Sequence, residues 1–177
     1  MNARREIKVP IWVKRVAAGH GTYAFWHLMH KKISSSDVCN HQNRLLIGKR
    51  VIYERLLPAM SEEEKQAASF LNYPEVGRRR RFLDRLPGGE RRRRLIGRNH
   101  RGLKVMAYDQ RGWGCSLFLT RWDGSGAAVL KGPNYRAFRR HSFMEEGDEV
   151  EVWTFRDEDG KLCFAVGNTT VSSFFSL

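Results

Sequence analysis

The stretch Lys31-Lys32-Ile33-Ser34-Ser35-Ser36-Asp37-Val38-Cys39-Asn40-His41-Gln42-Asn43-Arg44-Leu45-Leu46-Ile47-Gly48-Lys49-Arg50 sets cations, hydroxyls and amides beside a short apolar run. Its lead-in, residues 31–35, is basic and hydroxyl-rich. Ser36 and Asp37 have the character of the N-cap and first turn of a very short helix, because a side-chain oxygen there accepts from backbone N–H groups that lack helical partners. Leu45-Leu46-Ile47, bracketed by Arg44 and Lys49, predicts a strand. The result is a helix-then-strand corner. On such a corner cations and hydroxyls suit phosphates, while arginine and amide side chains suit base edges.

Upstream, residues 23–30 are aromatic and apolar and predict a first barrel strand. His27 and His30, with Cys39 and His41 nearby, have no standard zinc spacing and no second cysteine pair, so they are expected at strand ends or near phosphates. Residues 1–24 read as an N-terminal extension packed on the domain. Within it, residues 7–14 alternate loosely and carry Pro10, which suits an edge strand, and residues 17–21 read as a loop.

Downstream, the apolar and aromatic positions Leu45, Ile47, Val51 and Tyr53 extend the predicted strand over 45–53. A helix over 61–71 follows. Ser61 and Glu64 form a capping box, and the first-turn carboxylates complement the helix dipole rather than serve catalysis. Residues 72–101 change character. Arg78, Arg79, Arg80 and Arg81 and then Arg91, Arg92, Arg93 and Arg94 flank a segment broken by Pro87-Gly88-Gly89. This inserted basic loop has three readings: an added phosphate-binding arm, a nuclear localisation signal and a solvated charge run.

The second half predicts an antiparallel sheet. Strands are expected over 103–108, 113–122, 127–130, 149–155 and 161–166, with turns at 109–112, 123–126 and 156–160. A short helix over 133–141 would bury Tyr135 and Phe138, and residues 168–177 read as a C-terminal tail. Many short strands at near-regular spacing with few helices point to a small β-barrel.

Composition narrows the function classes. The chain has 177 residues, 41% of them hydrophobic, which is enough for one domain with a proper core. No apolar run approaches the length of a membrane span. Lys8 and Pro10 interrupt the only N-terminal apolar run, so no secretory signal is expected. Three widely spaced cysteines point to a reducing compartment rather than a disulfide framework. The net charge of +13 favours a polyanionic partner, with a merely solvated basic surface as the plain alternative.

Ser36-Asp37-Val38 followed by Asn43-Arg44-Leu45-Leu46-Ile47-Gly48-Lys49 resembles the first DNA-contacting arm of the plant B3 domain, with Gly48 where the family usually has proline. The Arg121-Trp122-Asp123-Gly124-Ser125 corner falls where the family's second arm lies. The helix around Asn134-Tyr135-Arg136-Ala137-Phe138 and the Gly147-Asp148-Glu149-Val150 segment are similar to the family's C-terminal part. The helix at 61–71 fits a subfamily with a Glu-rich helical insert. The resemblance covers residues 25–167, with the basic insertion at about 72–101 set aside.

The resemblance implies a mainly β fold: an open seven-stranded B3-type pseudobarrel with short helices and an Arg-rich inserted loop. It implies that two arms hold duplex DNA from the major groove. The first arm would be Lys32, Ser34, Ser35, Ser36, Asn40, Gln42, Asn43, Arg44 and Lys49. Asn43 could equally be a turn residue and Arg44 a phosphate clamp. The second arm would be Arg121, Trp122, Asp123 and Ser125, with Trp122 shaping the corner and Asp123 able to accept from cytosine N4. The eight arginines of the insertion would add phosphate contacts or a nuclear signal.

The function expected is therefore sequence-specific binding of double-stranded DNA by a nuclear plant transcription regulator, with other regulators as further partners. No enzyme activity, catalytic residue, metal, cofactor, membrane partner or small-molecule substrate is expected, because no nuclease-like carboxylate and lysine spacing, phosphate loop or nucleophile constellation is visible. The alternatives are a non-specific DNA- or RNA-binding protein driven by the arginine loop and a protein-interaction module without base readout.

Overall fold

The computed structural model describes residues 8–70, 102–122 and 125–172, with side chains to residue 170. The elements are α1 (Ile11–Gly19), β1 (Phe25–Lys32), α2 (Ser35–Val38), β2 (Arg44–Ile47), a helical run opened by α3 (Lys49–Val51), α4 (Glu62–Ala67), β3 (Leu103–Asp109), β4 (Gly114–Trp122), β5 (Ala127–Lys131), α5 (Tyr135–His141), β6 (Glu149–Arg156), β7 (Leu162–Asn168) and α6 (Thr169–Ser172). The seven strands form one sheet in the order β1-β6-β7-β3-β4-β5-β2, which leaves β1 and β2 as its edges. The mainly β, open seven-stranded architecture with short helices is as expected. The sheet is not antiparallel throughout, however, because β3 pairs in parallel with β7, Met106 opposite Cys163 through Asp109 opposite Val166. Such a pair joins strands far apart in sequence, so no turn signal announces it.

The chain divides into two units. The first holds Met1–Arg44, Val105–Leu117 and Gly132–Leu177. Its β1 runs antiparallel to β6 with a bulge between His27 and Met29, and β6 continues antiparallel into β7. Val13, Val16 and Ala17 of α1 pack with Tyr108, Trp153, Phe155, Cys163 and Ala165. Each fully buried large side chain here contributes about 1.5–3 kcal/mol through the area it removes from water.

The helix corrects the expected edge strand at 7–14. Pro10 stands just outside the first turn, where its missing N–H costs nothing. The buried positions 13, 16 and 17 follow helical rather than strand periodicity. Trp12 closes the contact from above: a Cβ at Gly167 would lie 2.4 Å from Trp12 Cζ2.

A tail starting at 168 also needs correction. Asn168 is the last residue of β7, is buried, and donates to Phe143 O at 2.7 Å and Asp148 Oδ2 at 2.8 Å. Thr169 Oγ1 then donates to Glu149 O, while Thr170 Oγ1 accepts from Glu149 N, both at 2.9 Å.

The second unit holds Leu45–Lys104 and Phe118–Lys131. In it β4 and β5 form an antiparallel hairpin, Phe118 opposite Lys131 through Trp122 opposite Ala127. The strand expected over 45–53 ends at Ile47. Beyond Gly48 the backbone is helical from Lys49 to Ala59, passing through a π turn and a 3-10 turn. Ile52 and Leu56, four residues apart, are its buried face. The capping box of α4 forms as expected: Glu64 N donates to Ser61 Oγ at 3.2 Å and Ser61 N to Glu64 Oε2 at 2.9 Å. The helix stops at Ala67, short of the expected 71, because Ser69 enters the left-handed region (φ 63°) and Phe70 N reaches back to Lys65 O at 2.7 Å. Leu71 and the whole 72–101 insertion lie outside the described residues.

Candidate nucleic-acid interface

The first arm is built around a buried carboxylate. Asp37, 1% exposed, receives the Lys31 ammonium at 2.9 Å, the Ser34 backbone N–H at 2.9 Å and the Ser34 hydroxyl at 2.6 Å. Ser34, not Ser36, is therefore the N-cap of α2, because its extended backbone lets both partners of a capping box close. Ser36 Oγ lies 3.0 Å from Ser34 Oγ.

The far end of α2 is held by α5. Tyr135 Oη donates to Asp37 O at 2.9 Å, and Arg139 Nη1 donates to Val38 O at 2.6 Å. A helix of four residues leaves its carbonyls without internal partners, and these two donors supply them. Burial pushes the Tyr135 phenol far up from its ordinary range, with the Asp37 charge acting in the same direction.

The loop that follows folds back on Cys39, whose carbonyl accepts from Gln42 N at 3.2 Å and Asn43 N at 2.9 Å. Backbone N–H groups of Gln42 and His41 lower the Cys39 thiol pKa, with a smaller contribution from Arg44. Asn43 takes a left-handed backbone (φ 48°) and its amide donates to Gly132 O at 3.1 Å, which makes it the hinge pin of the loop.

Arg44 is only 9% exposed, and its Nε and Nη2 donate to Gln42 Oε1 at 3.0 and 2.6 Å. Burial lowers its pKa, and the Asp37 charge opposes that shift. Lys32, Ser34, Ser35, Asn40 and Gln42 are exposed, and Ser36 is half-buried.

The other expected residues belong to the second unit. Lys49 is exposed at the first position of α3. Arg121 and Trp122 end β4 and are half-buried. Arg121 N bonds to Ala68 O at 3.0 Å, and Gly126 N bonds to Trp122 O at 3.1 Å to begin the return into β5. Ser125 is exposed. Asp123, with Gly124, and the arginines at 78–81 and 91–94 lie outside the described residues.

Residue-type reasoning put Asp37 in the first turn of α2 and Tyr135 in a buried face, but missed how the arm is held: the Lys31 and Ser34 contacts of Asp37, the carbonyl contacts made by Tyr135 and Arg139, and the Gly132 carbonyl that Asn43 meets. The Ser34 to Asp37 spacing is itself a capping-box signature and could have found the first pair. Nothing local marks Tyr135 and Arg139, which act across about a hundred residues of sequence.

The geometry is that of a mainly β protein with one rigidly braced, cation- and amide-bearing corner. Residues 50–170 match the family model of the B3 domain-containing protein At2g31720-like proteins, and the chain belongs to that B3 domain-containing family. The match begins just after the first arm. The chain is also similar to B3 domain-containing protein At2g31420 of Arabidopsis thaliana, 30% identical over 70 residues that cover 39% of this chain and 34% of that protein. The match thus spans about a third of that relative's length. Among solved structures it is similar to the Arabidopsis FUS3–DNA complex, with 15% identity over 81% of this chain and 98% of that one and a TM-score of 0.42. It is likewise similar to the Arabidopsis thaliana transcription factor LEC2–DNA complex, with 20% identity over 82% and 96% and a TM-score of 0.46.

Proposed function

We propose that this chain binds double-stranded DNA as a nuclear transcription regulator of the plant B3 type and reads sequence in the major groove. The observation that carries the reading is the braced corner at 31–44: exposed Lys32 at the end of β1, the hydroxyls of Ser34, Ser35 and Ser36 at the start of an α2 fixed at both ends, and the amides of Asn40 and Gln42 on the loop that follows it. Membership of the B3 domain-containing family supports it. Lys32, Lys49 and the hydroxyls take the phosphate contacts, and Asn40 and Gln42 the base edges. Asn43 and Arg44 act by holding the loop, which changes the direct contacts that their residue types suggested. Arg121, Trp122, Asp123 and Ser125 form the second arm, and the arginines at 78–81 and 91–94 add grip on the backbone. Other transcription regulators are its protein partners, and it has no catalytic role. No described helix is long and apolar enough to cross a membrane.

The test is fluorescence anisotropy with a selected duplex pool, random duplex and single strands across a salt series. Sequence-specific reading predicts an enriched motif. Lys32→Ala should weaken all duplexes alike and reduce the salt slope by about 1. Equal binding to every duplex and to single strands would overturn it in favour of a second reading, a sequence-independent grip, which the net charge of +13 favours.

A further inference from the structure

Gln42 has a fixed hydrogen-bonding polarity. A carbonyl oxygen has two lone pairs. Both of those on Gln42 Oε1 face donors of one guanidinium, Arg44 Nε at 3.0 Å and Nη2 at 2.6 Å. Arginine carries only donors, so the oxygen and not the nitrogen of the amide must face it, and the amide cannot turn over without placing N–H against N–H. Arg44 is 9% exposed and opens β2 immediately before its apolar run, so the fold rather than solvent sets where its guanidinium stands. What remains at the exposed end of Gln42 is an NH2 group that makes no hydrogen bond among the described residues.

A free glutamine presents one acceptor and two donors and pairs bidentately with adenine, accepting from N6 and donating to N7. The Gln42 amide presents donors alone. In the major groove only guanine offers two adjacent acceptors, N7 and O6; adenine places a donor beside N7, and cytosine shows a donor. We infer that Arg44 converts Gln42 into a donor-only probe that selects guanine over adenine and cytosine. This rests on the reading of the first arm as a DNA-contacting surface. Gln42 would be the contacting residue and Arg44 the positioning residue.

Two variants reverse the polarity by different routes. In Gln42→Glu a carboxylate keeps the Arg44 partnership and turns its remaining oxygen outward, so the preferred base becomes cytosine, whose N4 donor has no acceptor on the same base beside it, rather than adenine, whose N7 lone pair repels the carboxylate. In Arg44→Met the amide is released and regains its acceptor, so adenine becomes admissible. The measurement is selection from a randomised duplex pool followed by anisotropy on the enriched site and its single-base variants, with circular dichroism to establish folding. The wild type should discriminate for guanine at one position by roughly tenfold or more. Gln42→Glu should shift that position to cytosine, and Arg44→Met should bring adenine to within a few-fold of guanine without a loss of phosphate-driven affinity. Gln42→Glu lies on the surface, so the inference stays testable if Arg44→Met does not fold.

An unchanged base preference in folded variants that still bind duplex would overturn the inference and leave the DNA-binding reading standing. A uniform loss across all sequences in Gln42→Glu would also overturn it, since it would place Gln42 on a phosphate. Absence of duplex binding by the wild type would overturn both.

Discussion

The phenol of Tyr135 donates to the backbone carbonyl of Asp37 at 2.9 Å, from α5 to α2. Arg139, one turn along α5, holds the next carbonyl, that of Val38, at 2.6 Å. One helix thereby positions the four-residue helix that carries Ser35 and Ser36, and the arm is braced from outside although it contains little regular structure of its own.

Tyr135→Phe removes a donor and leaves a carbonyl of the buried residue Asp37 unmet, at a cost of about 1–3 kcal/mol by urea unfolding. The pH dependence should separate this residue from a general loss. The folded phenol ionises well above its ordinary value near 10 because burial disfavours the charged form. A raised folded pKa contributes stability that is complete below the unfolded value and is lost as pH rises beyond it. Wild-type stability should therefore fall from about pH 10 upward, and the difference between wild type and Tyr135→Phe should narrow there. Tyr108 is also raised by burial and contributes equally to both proteins. A gap that stays constant to pH 11 would show that the phenol has no special environment.

Asp37→Ala should be among the most damaging single changes in the arm. It deletes the acceptor for two Ser34 donors and the carboxylate that the Lys31 ammonium meets at 2.9 Å. Breaking a buried pair on one side costs about 3–5 kcal/mol. Lys31→Met, alone and in the Asp37→Ala background, isolates the share of that loss that belongs to the ion pair, and the double-mutant cycle should show a coupling of about 0.5–3 kcal/mol.

Gly167→Ala should loosen α1. The added methyl meets the Trp12 ring at 2.4–3.0 Å, closer than carbon atoms tolerate. Overpacking of this kind costs about 1–3 kcal/mol. Trp12→Leu should restore stability to the double variant beyond what either change alone predicts. Simple additivity in thermal melts would show that Trp12 does not bear on Gly167.

The three thiols should separate cleanly under alkylation. Cys163 and Cys115 are pushed up to about 12 and about 11 by burial, whereas the partly exposed Cys39 is lowered by backbone N–H groups of Gln42 and His41. At pH 8 iodoacetamide should modify Cys39 first, with a rate that levels off at lower pH than for a free thiol. Peptide mass mapping reads the order, and Cys39→Ser should abolish the fast phase.

Much of the fold was legible because its signals are local. The strands expected over 103–108 and 113–122 became β3 and β4 to within a residue at one end, and the capping box at Ser61 and Glu64 opened a helix, though a shorter one than expected. Where two local signals compete, the sequence is ambiguous. Pro10 suits an edge strand and also the threshold of a helix. The alternating Leu45, Ile47, Val51 and Tyr53 hide the fact that Gly48 ends the strand and that Ile52 and Leu56 then follow a helical period. The exposed cations, hydroxyls and amides of the arm were legible from residue type. Burial of Arg44 was not, since arginine is seldom buried and its partner is known only once the loop is folded. The parallel β3–β7 pair and the Tyr135–Asp37 bond depend on long-range closure and leave no local trace.

The register of β1 against β6 has a consequence for biosynthesis. Phe25 faces Phe155, and Lys32 faces Glu149, so every partner of β1 lies more than a hundred residues downstream. During translation this early strand leaves the ribosome and must wait, unpaired, until nearly the whole described chain has been made. Its own residues suit that delay. His30, Lys31 and Lys32 place positive charge or polarity at one end of the strand, and such residues discourage an exposed edge from joining a neighbouring nascent chain before its partner arrives.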